Sequence, residues 1–168
     1  MRLWHLLCLC SLLLQGCARD DVAALEGRLS VFFDIEGRQY FKSKMRCTAA
    51  VFVLKTVDPK NSLSVQRTGE DARRAFSMGR LAAVQVDNMS PSDMAEALLL
   101  HGNGQLGKQV LAAAAQSGPC LKGTPAEGEL RAALTRPGAL LAYDSETQGL
   151  VVLDHVASRL FYAAGDVW

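Results

Sequence analysis

Several things are scarce in this chain of 168 residues, and each scarcity excludes a class of function. Charge of one sign is not in surplus: 18 Lys and Arg stand against 17 Asp and Glu. A nucleic-acid binder ordinarily carries a basic excess that neutralises phosphates, so no nucleic-acid partner is expected. Histidine is rare, with three in the whole chain. Neither His101 nor His155 has a second ligand at helical or hairpin spacing, so neither a metal nor a cofactor is expected, and each histidine reads as structural. After the first residues no apolar run approaches the roughly twenty needed to span a bilayer. A Gly-x-Ser-x-Gly elbow is missing, since Ala75-Phe76-Ser77-Met78-Gly79 lacks the first glycine. Gly102-Asn103-Gly104-Gln105-Leu106-Gly107 does match Gly-x-Gly-x-x-Gly, but it follows a helical pattern where a dinucleotide site needs a strand.

What is present is concentrated at the start. Arg2 precedes an apolar run over residues 6–14, which ends in Leu14-Gln15-Gly16-Cys17. A basic start, a short apolar core and a small-residue processing site describe an export signal rather than a fold element. The run is about nine residues, less than half of what a spanning helix needs, so residues 1–16 are expected to be cleaved. Leu14 to Cys17 resembles the lipobox of bacterial lipoproteins, with Gln15 departing from the small or branched residue usual there. The resemblance implies that Cys17 becomes the first residue and carries lipid. It also implies membrane anchoring, and Ala18 after the cysteine resembles the class sorted to the outer membrane, facing the periplasm. Gly16-Cys17-Ala18 also satisfies an ordinary small-x-small rule, so a fully secreted inhibitor or binding protein cleaved after Ala18 is a further reading.

Cysteine usage fits an exported life. Cys8 and Cys10 leave with the signal and Cys17 is the lipidation candidate, which leaves Cys47 and Cys120. Two thiols in an oxidising compartment are expected to pair. Closing a loop of this size is worth about 4 kcal/mol in the chain-entropy model. The competing reading makes Cys47 a nucleophile, which requires a free thiol, a histidine within reach and a third orienting group. In bacterial cell-wall cysteine peptidases the cysteine opens a helix, whereas Cys47 leads into a strand.

The remainder is one domain by size. Residues 17–27 read as lipid anchor and tether, and residues 28–168 as a single α+β domain. Leu29, Val31, Phe33 and Ile35 alternate with polar residues, the period of a half-buried strand. Glu36-Gly37 is expected to turn the chain into a second strand over 39–45, and residues 48–57 form an apolar, central one. Thr68 is placed as the cap of a helix reaching Gly79, with a short strand over 81–86 after it. Ser90-Pro91-Ser92-Asp93 starts a helix running to about residue 101. A second follows over 105–116 and ends at Gly118-Pro119. Thr124-Pro125-Ala126-Glu127 predicts a capping box and a third helix, stopped by Pro137-Gly138. Residues 139–143, 150–154 and 159–163 then make an antiparallel meander. Strands at both ends with helices between imply an antiparallel sheet carrying a helical layer from the middle of the chain.

Arg38, Lys42, Lys44 and Arg46 fall at even spacing, so an extended segment puts all four charges on one face. That row is either a site for an anionic partner or a guard against edge-to-edge sheet pairing. The combined expectation is a membrane-anchored envelope lipoprotein with a non-catalytic binding role. Accessory subunit of a secretion or assembly machine, immunity or inhibitor protein, and wall-binding factor all fit, with the membrane and an envelope protein or the cell wall as partners. The alternative is a secreted or periplasmic hydrolase with an unrecognised active site.

Overall fold

The computed structural model describes residues 18–68, 70–71, 74–75, 81–101 and 104–166. Cys17, the export signal and most of the helix expected after Thr68 lie outside them. The fold is α+β. Seven strands form one sheet: β1 (Ile35–Lys44), β2 (Cys47–Leu54), β3 (Val65–Gln66), β4 (Ala82–Val84), β5 (Leu140–Asp144), β6 (Gly149–Asp154) and β7 (Arg159–Gly165). Their spatial order is β1-β2-β7-β6-β5-β4-β3, and every pairing is antiparallel except β3 with β4. The sheet is thus closed from both termini, because β7 from the C-terminal meander pairs with β2 from the N-terminal hairpin.

Alternation in β2 shows how the sheet is covered. Cys47, Ala49 and Val51 enter one apolar cluster, and Ala50, Phe52 and Leu54 enter the other. Both faces are therefore core. One lies under α2 (Pro91–His101), α3 (Gly104–Gln116), α4 (Gly118–Leu121) and α5 (Pro125–Leu134), whose Leu98, Val110, Leu121 and Leu130 pack against it. The opposite face is covered by α1 (Val22–Ser30) and by the loops around Phe33 and Leu63.

Helix α1 corrects the strand expected over residues 29–35 and docks the segment expected as a tether. Leu25 and Leu29 are buried at the i, i+4 spacing of one helical face, and Phe33 continues that spacing in the turn after the helix, its N–H donating to the Leu29 carbonyl at 3.0 Å, while Val31 is 55% exposed. Asp21 caps the helix by accepting from the Ala24 N–H at 2.9 Å. At its other end Lys60 Nζ donates to the Ser30 carbonyl at 2.6 Å, a cation on the negative end of the helix. The turn expected at Glu36-Gly37 is also corrected. Both residues lie inside β1, where register shifts absorb them.

The local start signals fare differently. At α2 the Ser90 N–H and hydroxyl both donate to the Asp93 carboxylate, at 2.9 and 2.7 Å, and hold its carboxyl below the ordinary range. The Asp93 N–H returns a bond to Ser90 Oγ at 3.2 Å, a reciprocal box. At α5 the expected box does not form. Thr124 makes no side-chain cap, because its hydroxyl donates to the Leu121 carbonyl left over at the end of α4. Glu127 instead accepts from the Gly123 N–H at 3.1 Å, one residue earlier than expected.

The two hairpins of the meander use one device ten residues apart. Asp144 accepts from the Glu146 N–H and the Thr147 hydroxyl, and Asp154 accepts from the Val156 and Ala157 N–H groups. Each loop ends on a residue with positive φ, Gln148 at 53° and Ser158 at 51°.

Candidate functional site

The strands give the domain two dissimilar ends. At one lie the β1–β2 turn, the β5–β6 loop and Asp166. At the other lie the β6–β7 loop, the start of β1 and the end of α5.

The first end is closed by residues 19–20. The Arg19 N–H donates to the Lys44 carbonyl at 3.1 Å and the Asp20 N–H to Ser43 Oγ at 3.0 Å. The Arg19 guanidinium meets Asp166 and donates to the Thr147 carbonyl at 2.8 Å. Behind it, Arg28 lies 3.9 Å from Asp20 and 3.8 Å from Asp144. Tyr143 and Tyr162 stand next to these charges. Burial, then the neighbouring Asp144, push the Tyr143 phenol up to about 12 against an opposing effect of Arg19. Burial likewise raises Tyr162, whose hydroxyl donates weakly to Thr147 Oγ1 at 3.4 Å. The Tyr143 hydroxyl is buried without a hydrogen-bond partner among the described residues.

The second end holds a cleft of about 260 Å³ between α5 and the β6–β7 loop. Its floor is Phe161 and its walls carry Glu129, Arg136, Asp154 and Arg159. Asp154 is only 2% exposed and faces Arg136 Nε at 3.1 Å. Gln39 bridges the other two charges, accepting from Arg159 Nε at 2.6 Å and donating to Glu129 at 3.3 Å. Across the loop, Gln85 donates through Nε2 to the Gly138 carbonyl and to His155 Nε2, both at 2.8 Å, and accepts from Arg67. Val156 projects from the loop tip and is 75% exposed. The cleft lining combines guanidinium, carboxylate and aromatic groups without a hydroxyl, thiol or imidazole. Such a set recognises charged and apolar groups by hydrogen bonding and burial.

The residues singled out from sequence divide as follows. Cys47 and Cys120 are bonded, with Cα atoms 6.0 Å apart, joining the start of β2 to α4 inside the helical-face core. A bonded Cys47 has no free thiol, so the nucleophile reading has no support. Arg38, Lys42, Lys44 and Arg46 do not form one row, which corrects the even-spacing argument. Lys42 pairs with Ala49 and Lys44 with Cys47, on the helical side, whereas Arg38 pairs with Phe52, on the side of α1. The register shift between Arg38 and Tyr40 inverts the alternation. Arg46 falls in the turn between β1 and β2. His155 is held by Gln85, and the His101 side chain lies outside the described residues. Among the described residues no group of three His, Cys, Asp or Glu converges to hold a metal ion. No described helix is long and apolar enough to cross a membrane.

Sequence reasoning missed the Arg19–Asp166 pair and the Arg136–Asp154 cleft. For the second, the Asp-led hairpin loop at Asp154 was the available signal, since it fixes a buried carboxylate that needs a cationic neighbour; the first had none. No protein-family model matches the chain, and neither the curated proteins nor the solved structures give a match.

Proposed function

We propose that this chain is an exported, lipid-anchored envelope protein whose domain binds another envelope component and performs no catalysis of its own. The observation that carries the reading is the Cys47–Cys120 bond within the core. Such bonds persist in oxidising compartments, and the bond supports the export signal read over residues 1–16. Anchoring at Cys17 concentrates the domain at a membrane, where weak contacts suffice for assembly. The cleft between Arg136, Arg159 and Glu129, with Val156 beside it, is the face assigned to the partner. Its charged walls, with the exposed Val156 beside them, suit a protein segment or wall polymer carrying both charged and apolar groups.

Cell fractionation of the Cys17→Ser variant tests the anchor. The wild-type protein is expected with membranes, and the variant is expected to lose the mature, membrane-held form. A variant that is processed identically and still fractionates with membranes contradicts the proposal.

A further inference from the structure

The docking of residues 19–20 on Lys44 and Ser43 sets the β1–β2 end of the sheet within two residues of Cys17. We propose that the sheet end carrying the β1–β2 turn is a membrane-contact surface, seating Lys44 and Met45 in the headgroup layer of an anionic bilayer. The inference rests on the anchored reading of Cys17 and adds an orientation and a contact surface to it.

Arg19 bonds to Lys44 through its backbone and to Asp166 through its side chain, so a residue only two positions after Cys17 is already docked on the sheet. Two Cα steps hold Cys17 within about 7.6 Å of Arg19. The headgroup layer of one leaflet is about 5–8 Å thick, the difference between the whole bilayer and its hydrocarbon core. A lipid on Cys17 sits at that level, and no spacer separates it from the β1–β2 turn. Hence the turn must lie against or within the headgroups.

The turn has suitable chemistry. Met45 is 66% exposed, and Lys44 and Arg46 flank it at the surface. Lys42 lies on the same side of β1 as Lys44. Of the acids at this end, Asp20, Asp144 and Asp166 face Arg19 or Arg28, while Asp21, which caps α1, and Glu146 are exposed counter-charges outnumbered by Lys42, Lys44 and Arg46. A methionine among basic side chains fits an interface where an apolar group enters the acyl boundary and cations meet phosphates. The Arg136–Arg159 cleft lies at the other end of β6, about 20 Å away along six residues, and faces away from the bilayer.

The test uses the mature full chain with a fluorophore on Met45→Cys, or on Val156→Cys as the distal control, mixed with vesicles of phosphatidylcholine and phosphatidylglycerol. Intact mass first establishes whether Cys17 carries lipid. Where it does not, Cys17→Ser keeps the label at the chosen position. Acrylamide quenching is expected to be lost at position 45 when vesicles are present and retained at position 156. In the unlipidated protein, Lys42→Gln with Lys44→Gln is expected to weaken vesicle partition about 30-fold, each lysine near an anionic surface contributing about fivefold. Lipidated protein quenched equally at both positions overturns the contact surface and leaves the anchor standing. Unlipidated protein still protected at position 45 overturns the anchor and leaves the contact surface standing. Unlipidated protein quenched equally at both positions overturns both.

Discussion

Tyr143 shows how much one buried atom can disclose. Its ring is packed in the helical-face core, yet its hydroxyl has no hydrogen-bond partner among the described residues. An unpaired buried hydroxyl costs about 1–3 kcal/mol, so Tyr143→Phe is expected to leave stability unchanged or raise it by about 1 kcal/mol. Chemical denaturation of the two proteins checks this. The pH dependence has a definite sign. The folded phenol is held neutral up to about 12 whereas an unfolded tyrosine ionises near its ordinary value of 10.0, so the folded state binds more protons between those values. Stability is therefore full below about pH 10 and falls as the pH rises toward 12. Tyr162, also raised, adds to the fall. In Tyr143→Phe the drop is expected to be smaller, and ultraviolet titration is expected to lose the phenol that ionises at about 12.

At the scale of elements, glycine separates packing from propensity. A Cβ on Gly107 would lie 2.5 Å from the Leu99 backbone nitrogen, because α2 and α3 approach each other at that point. Gly128 in α5 has nothing within 4 Å. Gly107→Ala is thus expected to destabilise by about 1–3 kcal/mol, as overpacking does. Gly128→Ala is expected to stabilise by about 0.5–1 kcal/mol through helix propensity alone. Thermal melts of the pair check both signs. The disulfide spans 73 residues, and its removal in Cys47→Ser with Cys120→Ser is expected to cost up to about 4 kcal/mol.

Elements with strong local chemistry were legible in the sequence. The Ser90–Asp93 start and the meander with its Asp-led turns follow from residues within a few positions of each other. Helix α1 was not, because Leu29, Val31, Phe33 and Ile35 satisfy a period of two while Leu25, Leu29 and Phe33 satisfy the helical one. Asp21 as cap and the exposed Val31 distinguish them; the cap is a local signal in the sequence, whereas the exposure of Val31 depends on what α1 packs against. The inverted phase of Arg38 came from register shifts on either side of Gly37 and Arg38, which even spacing does not reveal. Pairs such as Arg19 with Asp166, 147 positions apart, were beyond any local rule.

Taken whole, the molecule is polar in the sense of having ends. One end is sealed by residues 19–20 and lies beside the point where the chain leaves toward Cys17. The other presents the Arg136, Arg159 and Glu129 cleft with the exposed Val156. Under the proposed function each end has one task, attachment or recognition, and the attachment rests on a lipid at Cys17. The most direct measurement is therefore the intact mass of the protein recovered from the membrane fraction of its native host, with sequencing of its first peptide. The account predicts a chain beginning at Cys17 and heavier than the polypeptide by a thiol-linked lipid, with Cys47 and Cys120 oxidised. A first peptide beginning at Arg19 with no added mass, or one retaining residues 1–16, would contradict it.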